Sequence, residues 1–314
     1  MKKIGEIIKN IVLTIVLLYF KLYMWIFNIV IKLFSRSQSN KSLKILHIWN
    51  VAGVANTLAY ETRKLGIEAD IIARRDLDKA KFCEVHPELF IATPSKFFIF
   101  FIKTIKLAKK YDILHVHWYD WIIPHLRFVY PRKVIIIHYH GSDIRFKTEK
   151  KKDKFRFANK ITVSTPDLLD HIKGEYVPNP VDFTLFKRIK NAKKDTALFI
   201  QAYDRFTEAR KLAIKEAKKR NLKLTIIERN KTIIPYKDFA RTLEMYEYYI
   251  DIRQEPYRNT FLDSLSLTAL QALALGNKVI LKDKEIDKFP DEHSPQNVAL
   301  KWREIYQNLL IKKR

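Results

Sequence analysis

The segment from His138 to Asp143, HYHGSD, holds the densest reactive chemistry in the chain. Its two imidazoles stand at alternate positions, so an extended backbone projects both on one side. The glycine that follows supplies a positive φ or room for a close backbone approach. The chain has only 6 glycines in 314 residues, where average usage gives roughly 22. A tight turn and an approaching ligand both fit Gly141, and ligand approach is the expected use. A second pair, His115 and His117, repeats the spacing. With His138 these residues invite a metal reading. Zinc asks for three or four ligands, with cysteine or carboxylate among them. Neither the spacing nor the lone cysteine secures such a set, so no metal and no cofactor is expected.

Such residues need elements to hold them. A length of 314 residues favours two domains, and 47% hydrophobic content is ample for two cores. Cys83 is the lone cysteine, which excludes an internal disulfide and suits a reducing compartment. The formal charge of +25 attracts polyanions: nucleic acid, anionic lipid or phosphorylated substrates. A nucleic-acid role also needs a reading module. No RNA-recognition motif, zinc finger or helix-turn-helix pattern stands in the sequence, so nucleic acid is not an expected partner.

Residues 11–31 are apolar except for Thr14, Lys21 and Asn28. As a helix they reach about 31 Å, one hydrocarbon core. Lys3, Asn10, Thr14, Lys21, Asn28, Lys32 and Ser35 recur at intervals of three, four or seven and form one narrow stripe. Residues 1–36 therefore read as a membrane anchor, lying in the interface or spanning the bilayer. The apolar stretch is too long for a cleaved signal peptide. Lys32, Arg36, Lys41 and Lys44 would sit at headgroup level, and 35–42 reads as a linker.

From residue 43 strands and helices alternate. Strands are expected at 43–49, 67–73, 112–118, 133–140, 160–163 and 175–182, and helices at 56–65, 94–110, 124–130 and from Thr165 on. After a charged segment at 187–195 come strands at 197–201, 222–228, 248–253 and 277–281. The helices between them fall at 207–220, 237–246 and 266–275, with a last helix at 295–310. Apolar strands alternating with helices mean parallel α/β sheets, which bind ligands at their carboxyl ends. The expected units are an anchor at 1–36, one domain at 43–186, a second at 196–290 and a terminal helix at 295–314.

Over about residues 43–283 these pieces resemble the GT-B glycosyltransferases, specifically the large retaining, metal-independent family 4. ILHIWNVAGVANTLA is similar to that family's first strand and glycine loop. DILHVHW resembles its Asp-Ile-x-His-x-His strand, and IIIHYHGSDIR its strand ending in His-Gly-x-Asp. ITVSTPDLL with YVPNPVD resembles the passage that closes the N-terminal domain. The resemblance implies two Rossmann-like, doubly wound parallel-sheet domains. The second half departs from the family. Arg205 and Arg210 keep the spacing of an Arg–Lys pair, but the glycines beside them are missing. Asp263 and Gln271 stand where the family carries two glutamates.

What the resemblance implies chemically is transfer of a sugar from a nucleotide-sugar to an acceptor hydroxyl. A diphosphate leaves, and cations with backbone dipoles must hold the charge that develops. By this likeness Arg205 and Arg210 clamp the phosphates, with Lys211 in reserve, and His140 stands by the reacting sugar. The helix near Ser266 aims its amides at the phosphates, with Ser264, Leu267 and Thr268 beside them. Asp263 takes sugar hydroxyls and Gln271 the ribose. Gly53, Asn56, Gly141 and Asp143 lie on the acceptor side, Asp143 orienting its loop or binding acceptor. The expected partners are a nucleotide-sugar, a glycan or lipid-linked acceptor, and the anionic cytoplasmic face of the cell membrane. Two rivals stand beside this: an inactive GT-B-like protein that binds nucleotide-sugar or lipid, and a sugar-nucleotide epimerase of the same fold.

Overall fold

The computed structural model describes residues 22, 42–91, 96–145, 156–187, 193–201, 207–254 and 261–312. The expected anchor falls outside these apart from Leu22, and so does Arg205. Among the described residues no helix is long and apolar enough to cross a membrane.

Six strands form the first sheet: β1 (Lys44–Ile48), β2 (Glu68–Ile72), β3 (Ile113–His117), β4 (Val134–Tyr139), β5 (Lys160–Val163) and β6 (Glu175–Tyr176). Their order is β2-β1-β3-β4-β5-β6, with every pair parallel. Alternation along the strands divides the core. Leu46, Ile48, Leu114, Val116, Ile135 and Ile137 face one way, toward α2 (Phe97–Ala108) and α3 (Ile123–Val129). Ile45, Ile113, Val134 and Ile136 face the other, toward α1 (Val54–Lys64) and the C-terminal helix. Both faces are covered, which is why β4 reads as an unbroken apolar run ending in His138 and Tyr139, all of it buried.

The second sheet holds β7 (Lys193–Gln201), β8 (Lys223–Glu228), β9 (Tyr246–Ile250), β10 (Lys278–Leu281) and β11 (Lys284–Ile286), in the order β11-β10-β9-β7-β8. Only β11 runs antiparallel, folding back along β10. Past the four-residue α4 (Ser142–Arg145), the second domain's helices are α5 (Thr207–Lys219), α6 (Tyr236–Glu244) and α7 (Leu267–Leu275). Ala209, Ala213 and Ala217 of α5 form a buried stripe of small residues against Ala197 and Phe199 of β7.

Three expectations change. The last helix, α8 (Pro295–Ile311), belongs to the first domain, where Val298, Trp302 and Tyr306 pack against Ile45 and Leu58. The helix expected after Thr165 is a 3-10 segment, Pro166–Asp170. The strand expected over 175–182 shrinks to Glu175–Tyr176, because Pro178 and Pro180 have no N–H for a ladder. Both sheets reverse winding next to their first strand, β1 against β3 and β7 against β9. Those switch points are where such sheets open a crevice.

Candidate functional site

A cleft of about 610 Å³ lies between the two sheets. The first domain lines it with Trp49, Asn50 and Ala52 after β1 and with the segment around Arg74, Arg75, Lys79 and Phe82. The second domain adds Arg229 and Asn230 after β8, Tyr236, and Ser266, Leu267, Thr268 and Gln271 of α7. A smaller cavity of about 140 Å³ adjoins it, sharing Ala52, Ser266 and Leu267, and reaches His140, Arg145, Asn179 and Arg253.

Helix α7 is held firmly enough to serve as a fixed dipole. Its body is apolar, with Ala269, Leu270, Ala272 and Leu273 buried. Ser266 caps it, Oγ accepting from the Ala269 N–H at 3.0 Å, and Gly276 closes it at φ 91°. The Ser266 N–H donates to Asp251 Oδ2 at 2.8 Å, tying the helix start to the end of β9. The N–H groups of Leu267 and Thr268 have no acceptor within the helix. They stand where both residues line the cleft, an arrangement that favours an anion.

Cations gather round this end from separate elements. The Arg253 guanidinium donates to the Ser264 carbonyl and lies 3.1 Å from Asp251 Oδ1. Arg145 grips Asp167 through Nε at 2.9 Å and Nη2 at 2.6 Å. Asp167 Oδ1 accepts from Ser264 Oγ at 2.8 Å, which carries the chain of contacts across to the second domain. Burial pushes the Asp167 carboxyl up, but Arg145, Ser264 and Thr165 together outweigh it and hold the group below the usual carboxylate range.

The histidines form a network beneath the smaller cavity. His47 and His115 face each other across β1 and β3, and both are fully buried with His117. His47 Nδ1 lies 3.0 Å from His117 Nε2, and His117 Nδ1 lies 3.2 Å from His140 Nε2. His140 Nδ1 lies 3.2 Å from Asn179 Oδ1, which His138 Nε2 also meets at 3.3 Å. With Asn179 accepting, one set of tautomers links the row: each Nδ1–H donates to the next acceptor, from His47 to His117 to His140 to Asn179, and His47 Nε2 is left buried without a partner. His115 Nδ1 meets the Tyr306 hydroxyl of α8 at 2.8 Å. Burial drives His47 and His138 down to about 3 and holds His115, His117 and His140 well below the usual imidazole value, so the row is neutral. One nitrogen from each of His47, His115 and His117 falls within 4.8 Å of the others, the nearest approach to a metal-ligand cluster among the described residues.

The sequence-derived residues separate on this geometry. Ser266, Leu267, Thr268 and Gln271 come together in the cleft, where Gln271 Nε2 donates to the Tyr236 hydroxyl at 3.1 Å. His140 borders the adjoining cavity, but both its ring nitrogens are engaged within the protein. Arg210 is absent from the lining: it pairs with Glu228 Oε1 at 3.0 Å, while Lys211 pairs with Glu208. Asp263 is exposed and lines neither cavity, and Ser264 bridges to Asp167. Asn56 is fully buried, its amide donating to the Phe82 and Val85 carbonyls, so it braces the cleft wall. Asp143 accepts from the N–H groups of His140 and Gly141 at 2.8 and 2.7 Å, which makes it the orienter of its loop. Gly141 sits at φ 139°, and a Cβ there would fall 2.5 Å from Arg145 Nη1. A side chain of the protein, rather than a ligand, occupies the space this glycine frees. Gly53 caps α1 at φ 79°, with Phe82 and Tyr236 3.1 Å from where its Cβ would be. Sequence reasoning missed Arg229, Arg253 and Arg74. Arg229 follows β8 directly and Arg253 stands three residues past β9, and that carboxyl-end position was the signal available.

Two parallel-sheet domains with a cleft between their carboxyl ends define a GT-B fold. No family model matches the chain, and no curated protein matches it in sequence. Among solved structures, an alpha-glucosyltransferase in complex with UDP and a mismatched 13-mer DNA aligns at a TM-score of 0.51 and 13% identity, over 87% of this chain and 90% of that one. A UDP-N-acetylglucosamine 2-epimerase from Rickettsia bellii aligns at 0.49 and 10% identity, over 85% and 97%. MurG from Acinetobacter baumannii aligns at 0.39 and 11%, over 85% and 84%. The likeness to the glucosyltransferase shows the shared fold.

Proposed function

We propose that the protein is a glycosyltransferase acting on a nucleotide-sugar. It would be attached to the cytoplasmic face of the membrane through residues 1–36 and would glycosylate a lipid-linked or polysaccharide-precursor hydroxyl. The observation that carries this reading is the free first turn of α7, opening into a cleft between two Rossmann-like sheets. A departing nucleoside diphosphate needs its charge held, and fixed amides with arginines supply that. Here the arginines are Arg229 and Arg253, in place of Arg210. The family likeness implies retention at the sugar carbon. A glucosyltransferase of the same fold, solved with UDP, supports a uridine nucleotide as the first donor to try.

A second reading, a nucleotide-sugar binder without turnover, has its own support. Both nitrogens of His140 are engaged, and Gln271 replaces an acid. Full-length protein incubated with labelled nucleotide-sugars and membrane lipid separates these readings. The expected result is label in the lipid fraction with release of nucleoside diphosphate. Binding without turnover would establish the second reading. Conversion of the donor to its epimer without acceptor would replace both with an epimerase.

A further inference from the structure

The smaller of the two cavities is rich in hydrogen-bond donors. Arg145, Ser164 and Thr165 line it from the first domain and Arg253 from the second, and among the described residues no aspartate or glutamate does. Ser164 is 1% exposed, and its hydroxyl has no partner in the protein. A buried hydroxyl without a bond costs stability, so one kept in a cavity wall points to a ligand. Arg253 Nε is also buried without a hydrogen-bond partner, since it lies 3.1 Å from Asp251 Oδ1 without the alignment a bond needs. Gly141 gives Arg145 its place, for Nη1 stands 2.5 Å from where a Cβ on that glycine would be.

The side-chain acceptors nearby are already engaged. Asn179 Oδ1 is shared by His138 and His140. Asp167 holds Arg145 and Ser264, and Asp251 accepts from the Ser266 N–H. Asp263, the residue expected to take sugar hydroxyls, lines neither cavity, and Gln271 lines only the larger cleft. A neutral hexose offers hydroxyls that donate as well as accept, and a site for it supplies acceptors. An ionised carboxylate only accepts, and guanidinium groups suit it best. The cavity shares Ser266 and Leu267 with the cleft, so it lies beside the first turn of α7, where a sugar joined to a bound diphosphate would project. Its volume of about 140 Å³, against about 610 Å³ for the cleft, suits one sugar beside a nucleoside diphosphate.

We propose that the donor sugar is a uronic acid, its carboxylate received in the smaller cavity by Arg145, Arg253 and the Ser164 hydroxyl. This rests on the nucleotide-sugar reading above and names the class of sugar. The carboxylate completes the bonding of Ser164, and the neutral sugar of the same stereochemistry leaves these donors without an ionic partner.

Calorimetry on the full chain tests this with UDP and two matched pairs: UDP-glucose with UDP-glucuronate, and UDP-galactose with UDP-galacturonate. Within each pair only the sixth carbon differs, hydroxymethyl against carboxylate. In one series the acid is expected to bind about thirty-fold more tightly than its neutral partner. Arg145→Gln should erase most of that preference. Arg145 also holds Asp167, so Ser164→Ala gives an independent check that does not disturb this ion pair. It removes a hydroxyl with no partner in the protein, so the unfolding midpoint should hold. Its affinity for the preferred acid should fall about five-fold, while its affinity for UDP stays. Neutral sugars that bind as tightly as the acids, with UDP also bound, overturn the uronic acid and leave the donor reading standing. An acid preference that Ser164→Ala and Arg145→Gln both leave intact overturns the placement in this cavity. Failure of UDP and all four sugars to bind overturns the uridine donor, and this proposal with it.

Discussion

The carboxyl ends of the two sheets face one cleft and spend their polar groups differently. In the first domain they are turned inward. His47, His117 and His140 bond to one another and to Asn179, Asp143 closes its own loop, and Arg145 fills the space over Gly141. In the second domain they point outward: α7 presents Leu267 and Thr268 with unmatched amides, and Arg229 follows β8 into the opening. One end is closed on itself, with His47 Nε2 and His115 Nε2 buried and without partners, and the other has hydrogen-bonding capacity to give to a ligand. Residue type alone did not distinguish them, since histidines and glycines drew attention to the end that is closed.

The comparison breaks most visibly at His117. His117→Leu leaves His47 Nδ1 and His140 Nε2 without partners in a dry interior, and is expected to cost about 3 kcal/mol in urea unfolding. If the loss is near zero, the row is not a structural network. Gly141→Ala comes next, at about 2 kcal/mol, because its φ of 139° strains any side chain and the new methyl displaces Arg145 from Asp167. Thermal unfolding of that variant checks it, and an unchanged midpoint would mean the loop has room to spare.

The histidine row also fixes a pH dependence. Its folded pKa values are depressed, by burial first, so the unfolded chain, titrating near 6.5, binds more protons than the folded one at mildly acid pH. The stability involved is complete above about pH 6.5 and drains away as pH falls toward 3. The urea midpoint should therefore drop between about pH 7 and about pH 5, and the slope should be shallower in His117→Leu by one proton. A flat profile would contradict neutral burial.

On the second domain the expected stability effects are smaller and more specific. Ser266→Ala removes the α7 cap at a cost of about 1 kcal/mol. It should also weaken nucleotide binding, which calorimetry would read. Arg210→Ala, by contrast, should leave nucleotide affinity unchanged, since the side chain pairs with Glu228 away from the cleft. A large loss there would restore Arg210 to the phosphate site.

The sequence disclosed the central strands of the first sheet well because β1, β3 and β4 are buried on both faces and so read as near-continuous apolar runs. It disclosed α7 as well, where a serine stands before an apolar stretch and a glycine ends it. The home of α8 was not legible, because Tyr306 meets His115 at a separation of 191 residues, and Trp302 and Tyr306 pack with Ile45, which lies further away still along the chain. The cations of the cleft and of the cavity beside it were hidden for the same reason. Arg229 and Arg253 lie in different loops, and only the winding of the second sheet brings them to α7. The family resemblance suggested Arg210, yet Glu228 at the end of β8 captures it first. Local pattern carries elements, whereas the partner that a charged side chain finds is decided by tertiary structure.

The central claim is that a diphosphate binds at the amino end of α7, and Thr268→Asp tests it most directly. A carboxylate in the first turn of a helix suits the dipole, so the fold should hold or gain slightly. The same charge should repel a phosphate. Thermal unfolding of the full chain would be followed against UDP, GDP, ADP, TDP and CMP sugars. One donor at a hundred times its dissociation constant should stabilise the parent by about 2.7 kcal/mol and do nothing for Thr268→Asp. Equal stabilisation of both proteins would place the donor elsewhere and contradict the account.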